Sequence, residues 1–376
     1  MDQAISWLKL QRPSMERLLE ELVLVSSHSL DKSGCNKVGE VLRRAVPLPC
    51  EVVPGKNHGD HLFFHAPTPG CNGGVVLVGH LDTVFPREAW EGWTTDGVLG
   101  RGPGALDMKG GLVVVAFALQ ALVARGLLGA LPLTFAVVSD EELGSPESAE
   151  LLRERARGAR SALVFEAGRA GDRVVTARKG TGTLEAVAHG RAAHAGNHHR
   201  DGANAIRAMA RFVEAAEGLT DHARGVTVNV GKIAGGVAKN SVPALCRAWL
   251  DLRFEEPSQG PELLAGLRAL AATELLPGTR LELREGAGRA PLVATDASRA
   301  LAERYGACAA EAGLGRGEAP RQGGGSDAST TASVGVPSVD GLGPRGAGFH
   351  TLDERVELAS LVPKAEALVR LLARGG

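Results

Sequence analysis

Short, unbroken apolar runs constrain this chain more than any other feature. Val75-Val76-Leu77-Val78, Leu133 to Val138 and Ala162 to Phe165 are continuously apolar, and the stretch Leu112 to Ala124 between the first two is apolar over a helical length. A strand that is apolar on both faces must be covered on both faces, so this succession predicts an α/β sheet sandwiched by helices. Two helices are expected ahead of it, from Leu18, Leu19, Leu22 and Val23 and then from Val38, Val41 and Leu42, which recur at helical spacing.

Around Thr176 the texture changes. Thr183-Leu184-Glu185-Ala186-Val187-Ala188 alternates polar and apolar residues, a helix is expected from about Asn204 to Glu217, and Val226 to Val230 and Ala248 to Arg253 read as strands. A Leu-rich helical stretch, Glu262 to Leu276, precedes another strand near Leu281. Alternation with two interleaved helices predicts a smaller α+β unit with an antiparallel sheet. Past a Gly-rich linker, a helix at Ala297 to Ala312 and the stretches Val334 to Val339 and Val356 to Leu372 return to the first texture. The small unit therefore reads as an insertion: residues 178–286 set into a discontinuous domain made of residues 1–177 and 287–376.

Several function classes drop out on composition. With 42 Lys and Arg against 43 Asp and Glu, the chain has no electrostatic footprint for nucleic acid or an anionic membrane surface. Its 376 residues, 44% hydrophobic, suffice for two domains with a large core. Cys35, Cys50, Cys71, Cys246 and Cys308 are scattered and form no C-x-x-C pair, which fits a reduced compartment. The amino terminus lacks the pattern of a secretory signal, and no apolar run reaches the roughly 20 residues of a membrane span. A cytoplasmic protein acting on small molecules or peptides is the expectation.

Candidate chemistry sits just beyond the predicted strands, where open α/β sheets place their sites. His80 and Asp82 follow the first run, Glu141 and Glu142 the second, and Glu166 the third; Asp107 lies in the loop opening the Leu112 helix and His350 in a late Gly-rich loop. Alone, each carboxylate reads as a solvated loop residue or helix cap, and either histidine as structural. Independent loops have no reason to repeat this chemistry at consecutive strand ends, and together the residues supply imidazoles and carboxylates of a zinc type.

Three other patterns lead nowhere. His194 and His198 have i, i+4 spacing, but the intervening Gly196 and the absence of apolar periodicity predict a loop, leaving His198 and His199 as surface residues. Gly323-Gly324-Gly325-Ser326-Asp327 is followed by Ala328 where a serine-nucleophile elbow needs glycine, so it reads as a close-approach loop. Gly102-Pro103-Gly104 is no dinucleotide fingerprint, because Asp107 stands at the third glycine and Pro103 lacks a donor.

Read as motifs, His80-Leu81-Asp82-Thr83-Val84-Phe85-Pro86, Asp107-Met108-Lys109-Gly110-Gly111 and Ser139-Asp140-Glu141-Glu142-Leu143-Gly144-Ser145 resemble, in order, the signatures of the M20 metallopeptidase family, of the glutamate carboxypeptidase type. The resemblance continues through Val164-Phe165-Glu166, Ala193-His194-Ala195-Gly196, Gly323 to Asp327 and Gly348-Phe349-His350. Two departures stand out, Met108 where many relatives have a second aspartate and Ala167 where proline is common, and neither removes a ligand.

The resemblance implies a zinc-exopeptidase-like three-layer catalytic domain carrying an inserted ferredoxin-like lid or dimerisation domain. It implies two zinc ions per subunit, bridged by Asp107, with His80 and Glu166 completing one site and Glu142 and His350 the other; cobalt or manganese suits the same ligands. Asp82 is then expected to orient His80. Of the adjacent Glu141 and Glu142 only one can face a given metal, and the family pattern makes Glu141 the base that moves a proton from water to the leaving amine. His194 is implied to stabilise the oxyanion from a partner subunit, Asn240 and Arg253 to hold a substrate carboxylate, and Gly325 to line the pocket. The implied activity is amide hydrolysis releasing a C-terminal amino acid from a small N-acyl amino acid or short peptide, by a homodimer. An N-acyl-amino-acid deacylase differs only in the acyl pocket, and a non-catalytic metal-binding homologue is opposed by the retained Glu141.

Overall fold

The computed structural model describes residues 1–66, 72–129 and 131–376, so Cys71 lies outside the described residues. The chain divides into two compact units, one formed by Met1–Ala177, Ala294–Gln322 and Ser326–Gly376, the other by Arg178–Val293 with Gly323–Gly325.

The larger unit is built on a six-stranded mixed sheet, in the order Cys50–Val53, His61–Ala66, Leu133–Val138, Val75–His80, Ser161–Val164, Ser338–Val339. The three apolar runs read from the sequence form its parallel centre, with Val75–His80 between the other two and every residue of all three buried. His61–Ala66 pairs antiparallel to Leu133–Val138 and Cys50–Val53 extends that edge. Neither of these two strands was expected, because His61, His65 and Glu51 break the apolar pattern that marked the others.

One helix, Gly110–Val123, is apolar on nearly all sides and is buried among helices Asp2–Lys9, Arg12–Val23 and Leu361–Ala373. Ahead of it Ala105–Lys109 form a wider turn with non-helical backbone at Asp107 and Met108; with that turn counted, Ala105–Val123 is long and apolar enough to cross a membrane, yet 89% of its apolar window is packed inside the protein. Its sequence signal began only at Leu112 because Asp107 and Lys109 interrupt the apolar run. Ahead of the sheet there are three helices rather than two: Asp2–Lys9 precedes Arg12–Val23 and Lys32–Ala45. From Val334 to Val339 only Ser338–Val339 is a strand, since the chain turns at Gly335 with a positive φ of 84°.

The smaller unit runs strand, helix, strand, strand, helix, strand: Gly180–His189, Ala205–Glu217, Thr227–Gly235, Leu245–Phe254, Gln259–Ala272 and Arg280–Arg289. Its antiparallel sheet is ordered Thr227–Gly235, Leu245–Phe254, Gly180–His189, Arg280–Arg289, a ferredoxin-like arrangement. Burial alternates residue by residue along Leu245–Phe254, the period of a sheet covered on one face. Leu184, Ala186, Ala248, Leu250 and Leu252 form its core with Met209 and Phe212 of the first helix and Leu263 and Leu267 of the second.

Candidate metal centre

The carboxyl ends of the central strands of the larger unit deliver the predicted residues to one place. His80 is the last residue of its strand, Glu141 and Glu142 open a single 3-10 turn just after Leu133–Val138, and Glu166 lies two residues past Ser161–Val164. Asp107 sits in the turn before the buried helix, where Lys109 N donates to Gly104 O at 2.9 Å and the Asp107–Met108 peptide is cis. Gly104 has a φ of +73°, and a side chain there would also collide with Thr83 Cγ2 at 2.5 Å, so only glycine allows this turn.

Two sets of ligand atoms result, His80 with Asp107 and Glu166, and Asp107 with Glu142 and His350, each set lying within 4.8 Å. His80 Nε2 stands 3.6 Å from Asp107 Oδ1 and 3.7 Å from Glu166 Oε1, too far for hydrogen bonds. On the other side His350 Nε2 is 3.3 Å from Asp107 Oδ2 and 3.1 Å from Glu142 Oε2. Asp107 belongs to both sets, through a different oxygen in each.

His80 Nε2 and Asp107 Oδ1 are buried and have no hydrogen-bond partner. A buried polar atom left unpaired is costly, and two of them facing one another across ligand-length gaps fit a cation. The electrostatics agree. Burial alone would lower His80, but the Asp107 and Asp82 carboxylates outweigh it and hold the imidazole well above its usual range. His350 is pushed up to about 10 by Asp107 and Glu142. Burial, reinforced by the charge on Asp107, drives Glu166 well above the carboxylate range, and burial also raises Glu142 against the pull of His350. Each of these shifts favours the protonated form of its group, the response expected where a divalent ion would otherwise balance the negative charge.

Asp82 supports this centre more broadly than expected. The closest partner of His80 Nδ1 is the Asp82 main-chain oxygen at 2.9 Å, with the carboxylate at 3.4 Å. That carboxylate instead accepts from Glu141 N at 3.2 Å, Glu142 N at 3.1 Å and Ser29 Oγ at 2.7 Å. Asp82 is therefore tied to the turn bearing both glutamates as well as to the imidazole. His80, Asp82, Asp107, Glu141, Glu142, Glu166 and His350 all lie in the larger unit.

The model of peptidase family M20/M25/M40 matches residues 76–374. The chain belongs to that family. It is 27% identical to carboxypeptidase G2 of a Pseudomonas species over 96% of this chain and 89% of the relative, and 31% identical to a succinyl-diaminopimelate desuccinylase of Cereibacter sphaeroides over 94% and 97%. A tripeptidase structure from Staphylococcus aureus superposes with a TM-score of 0.80 at 22% identity, covering 96% of this chain and 99% of that one. As a member of this M20 hydrolase family the chain is a metal-dependent hydrolase, and its fold is the mixed α/β fold of M20 peptidases.

The remaining predicted residues lie in the smaller unit. His194 is the exposed end of a two-residue strand, Ala193–His194, paired with Ser241–Val242, where the sequence had suggested only a loop. Its Nδ1 accepts from Gly196 N at 3.2 Å and Asn197 N at 3.1 Å, which leaves Nε2 as the donor nitrogen of the ring. Asn240 lies alongside, its main-chain oxygen accepting from Ala195 N at 3.0 Å. Asp251 grips the Arg253 guanidinium in a bidentate pair at 2.7 Å on each arm, and Arg253 Nη1 reaches Gly323 O at 3.3 Å. Arg178 holds the same loop, donating to Gly324 O at 3.1 Å and Gly325 O at 3.4 Å.

Sequence reading missed Ser29 and Glu354 as partners of the site: Ser29 Oγ donates to Asp82, and Glu354 accepts from the main chain of the Asp107 turn. No local pattern marks either, since Ser29 lies 53 residues from Asp82 and Glu354 lies 247 from Asp107 in sequence.

Proposed function

We propose that this chain is a two-zinc hydrolase that cleaves an amide bond to release an amino acid with a free carboxylate, in the manner of a glutamate carboxypeptidase. The observation carrying this reading is the pair of ligand sets that share Asp107. His80, Asp107 and Glu166 would hold one ion, and Asp107, Glu142 and His350 the other; bound there, the ions would supply Lewis acidity for the scissile carbonyl and for water.

Glu141, on the same turn as the ligand Glu142, takes the proton from that water and returns it to the departing amine. Asp82 fixes the tautomer of His80 and the position of the turn. His194 donates from Nε2 to the developing oxyanion, a role supported by the two amides that Nδ1 accepts from. Asn240 and Arg253 bind the substrate carboxylate. Asp251 occupies Arg253 Nε and one Nη2 hydrogen and Gly323 O takes one Nη1 hydrogen, which leaves one hydrogen on each Nη of the five-donor guanidinium for that purpose. Gly325 lets substrate approach the loop backbone. Residues 178–286 act as the lid and the dimerisation surface of a homodimer.

Similarity to a desuccinylase over nearly the whole chain supports a second reading, an N-acyl-amino-acid deacylase with the same residues in the same roles. The two differ in which half of the substrate is selected. Hydrolysis of a panel of N-acyl amino acids, acyl glutamates and dipeptides, by metal-loaded protein, chelated protein and Glu141→Ala, separates them. Metal-dependent turnover that is lost in the variant is expected, with the preferred leaving amino acid naming the subclass. Turnover that survives both chelation and Glu141→Ala refutes the mechanism.

A further inference from the structure

We infer that Glu354 is a positioning residue of the metal centre, holding the backbone that aims Asp107 at both ligand sets; this rests on the two-metal reading above. Glu354 is 1% exposed. Its Oε1 accepts from Leu106 N at 2.8 Å and Asp107 N at 3.0 Å, and its Oε2 lies 3.4 Å from Gly104 N. A single carboxylate therefore takes up the amide hydrogens of the turn that presents Asp107.

Glu354 is also part of the other half of the site. It closes the turn that follows His350, with Thr351 N donating to Gly348 O at 3.0 Å and Glu354 N to Thr351 O at 3.2 Å. Directly after it, strand Arg355–Glu357 pairs with Leu99–Arg101, the strand that leads into the Asp107 turn. The segment carrying Asp107 and the segment carrying His350 thus meet at one buried side chain. Because Asp107 is the ligand common to both sets, displacement of its backbone moves one oxygen out of each. A residue serving only to stabilise the fold would leave metal affinity intact once the protein had folded; a residue that aims Asp107 weakens both sites together.

The test uses the full chain stripped of metal. Zinc affinity is measured by competition with a chromophoric chelator, and the cobalt form is followed by its absorption spectrum. Glu354→Ala is expected to weaken both equivalents by about 10- to 100-fold, the usual effect of losing an outer partner of a ligand, and to change the cobalt spectrum. Glu354→Gln, which keeps one acceptor oxygen for Leu106 and Asp107, falls between Glu354→Ala and wild type and serves alone if the alanine variant does not fold. Glu366→Gln is the control: Glu366 is buried away from the site and paired with Arg370 at 2.7 Å, so its loss lowers the melting temperature and leaves zinc affinity unchanged. Folded Glu354 variants that bind two zinc ions like wild type overturn the inference alone. Wild-type protein that binds no metal pair overturns the functional reading and this inference with it.

Discussion

Replacing Asp82 by Asn tests how the centre is organised. Asp82 is 0% exposed, and its two oxygens serve Ser29 Oγ, Glu141 N and Glu142 N, with His80 Nδ1 at 3.4 Å. Asparagine keeps the shape but only one acceptor oxygen. With that oxygen toward Ser29 and Glu142, the new amide group points its hydrogens at the Glu141 N–H. Two donors are then left without an acceptor, at about 1–3 kcal/mol each, so about 2–6 kcal/mol before relaxation. The Glu141–Glu142 turn is half-exposed and can move to find water, so the lower end, about 2 kcal/mol, is the expected loss of stability. His80 keeps its main-chain acceptor at 2.9 Å, and the damage should fall on the glutamate turn. The same 2 kcal/mol expressed in the transition state is about 30-fold in turnover, since 1.36 kcal/mol is tenfold. Urea unfolding of wild type and Asp82→Asn, with and without metal, reads the stability; steady-state kinetics read the turnover. A variant within about 0.5 kcal/mol of wild type and with unchanged kcat would refute the view that this carboxylate organises the turn.

Two further outcomes follow from the geometry. In metal-free protein the raised pKa of His350, about 10, means that its ion pairs with Asp107 and Glu142 contribute stability fully below its unfolded value near 6.5. That contribution is lost as pH rises toward 10, so the melting-temperature advantage of chelated wild type over His350→Ala should shrink across this window, and a constant difference would contradict the assignment. Gly111→Ala places a Cβ 2.1 Å from Phe165 O, forcing the buried helix away from the segment that carries Glu166. Overpacking of this kind costs about 1–3 kcal/mol and outweighs the roughly 1 kcal/mol that alanine gains in helix propensity. A stabilised Gly111→Ala in thermal unfolding would show that the contact yields easily.

Much of this protein is decided locally. The apolar runs at Val75, Leu133 and Ala162 become the buried parallel centre of the sheet because a strand without a polar face has nowhere else to go. The alternation along Leu245–Phe254 settles a one-sided sheet in the same way, and polar ligands placed just past apolar runs announce a site at the strand ends. Tertiary structure alone decides what local pattern cannot carry. Continuous apolar strands have no face to set their neighbours, so the placement of Val75–His80 between Leu133–Val138 and Ser161–Val164 comes from packing and chain connection. Pairing of Arg355–Glu357 with Leu99–Arg101 brings His350 against Asp107, from 243 residues away in sequence, and the tertiary fold turns a scatter of carboxylates into two ligand sets. It also makes Asp82 a partner of the Glu141 and Glu142 amides and Glu354 a partner of the Asp107 turn. Those bonds run from side chains to the main chain of distant segments, and a main-chain amide is the same whatever residue carries it, so no motif or spacing in the sequence can mark them.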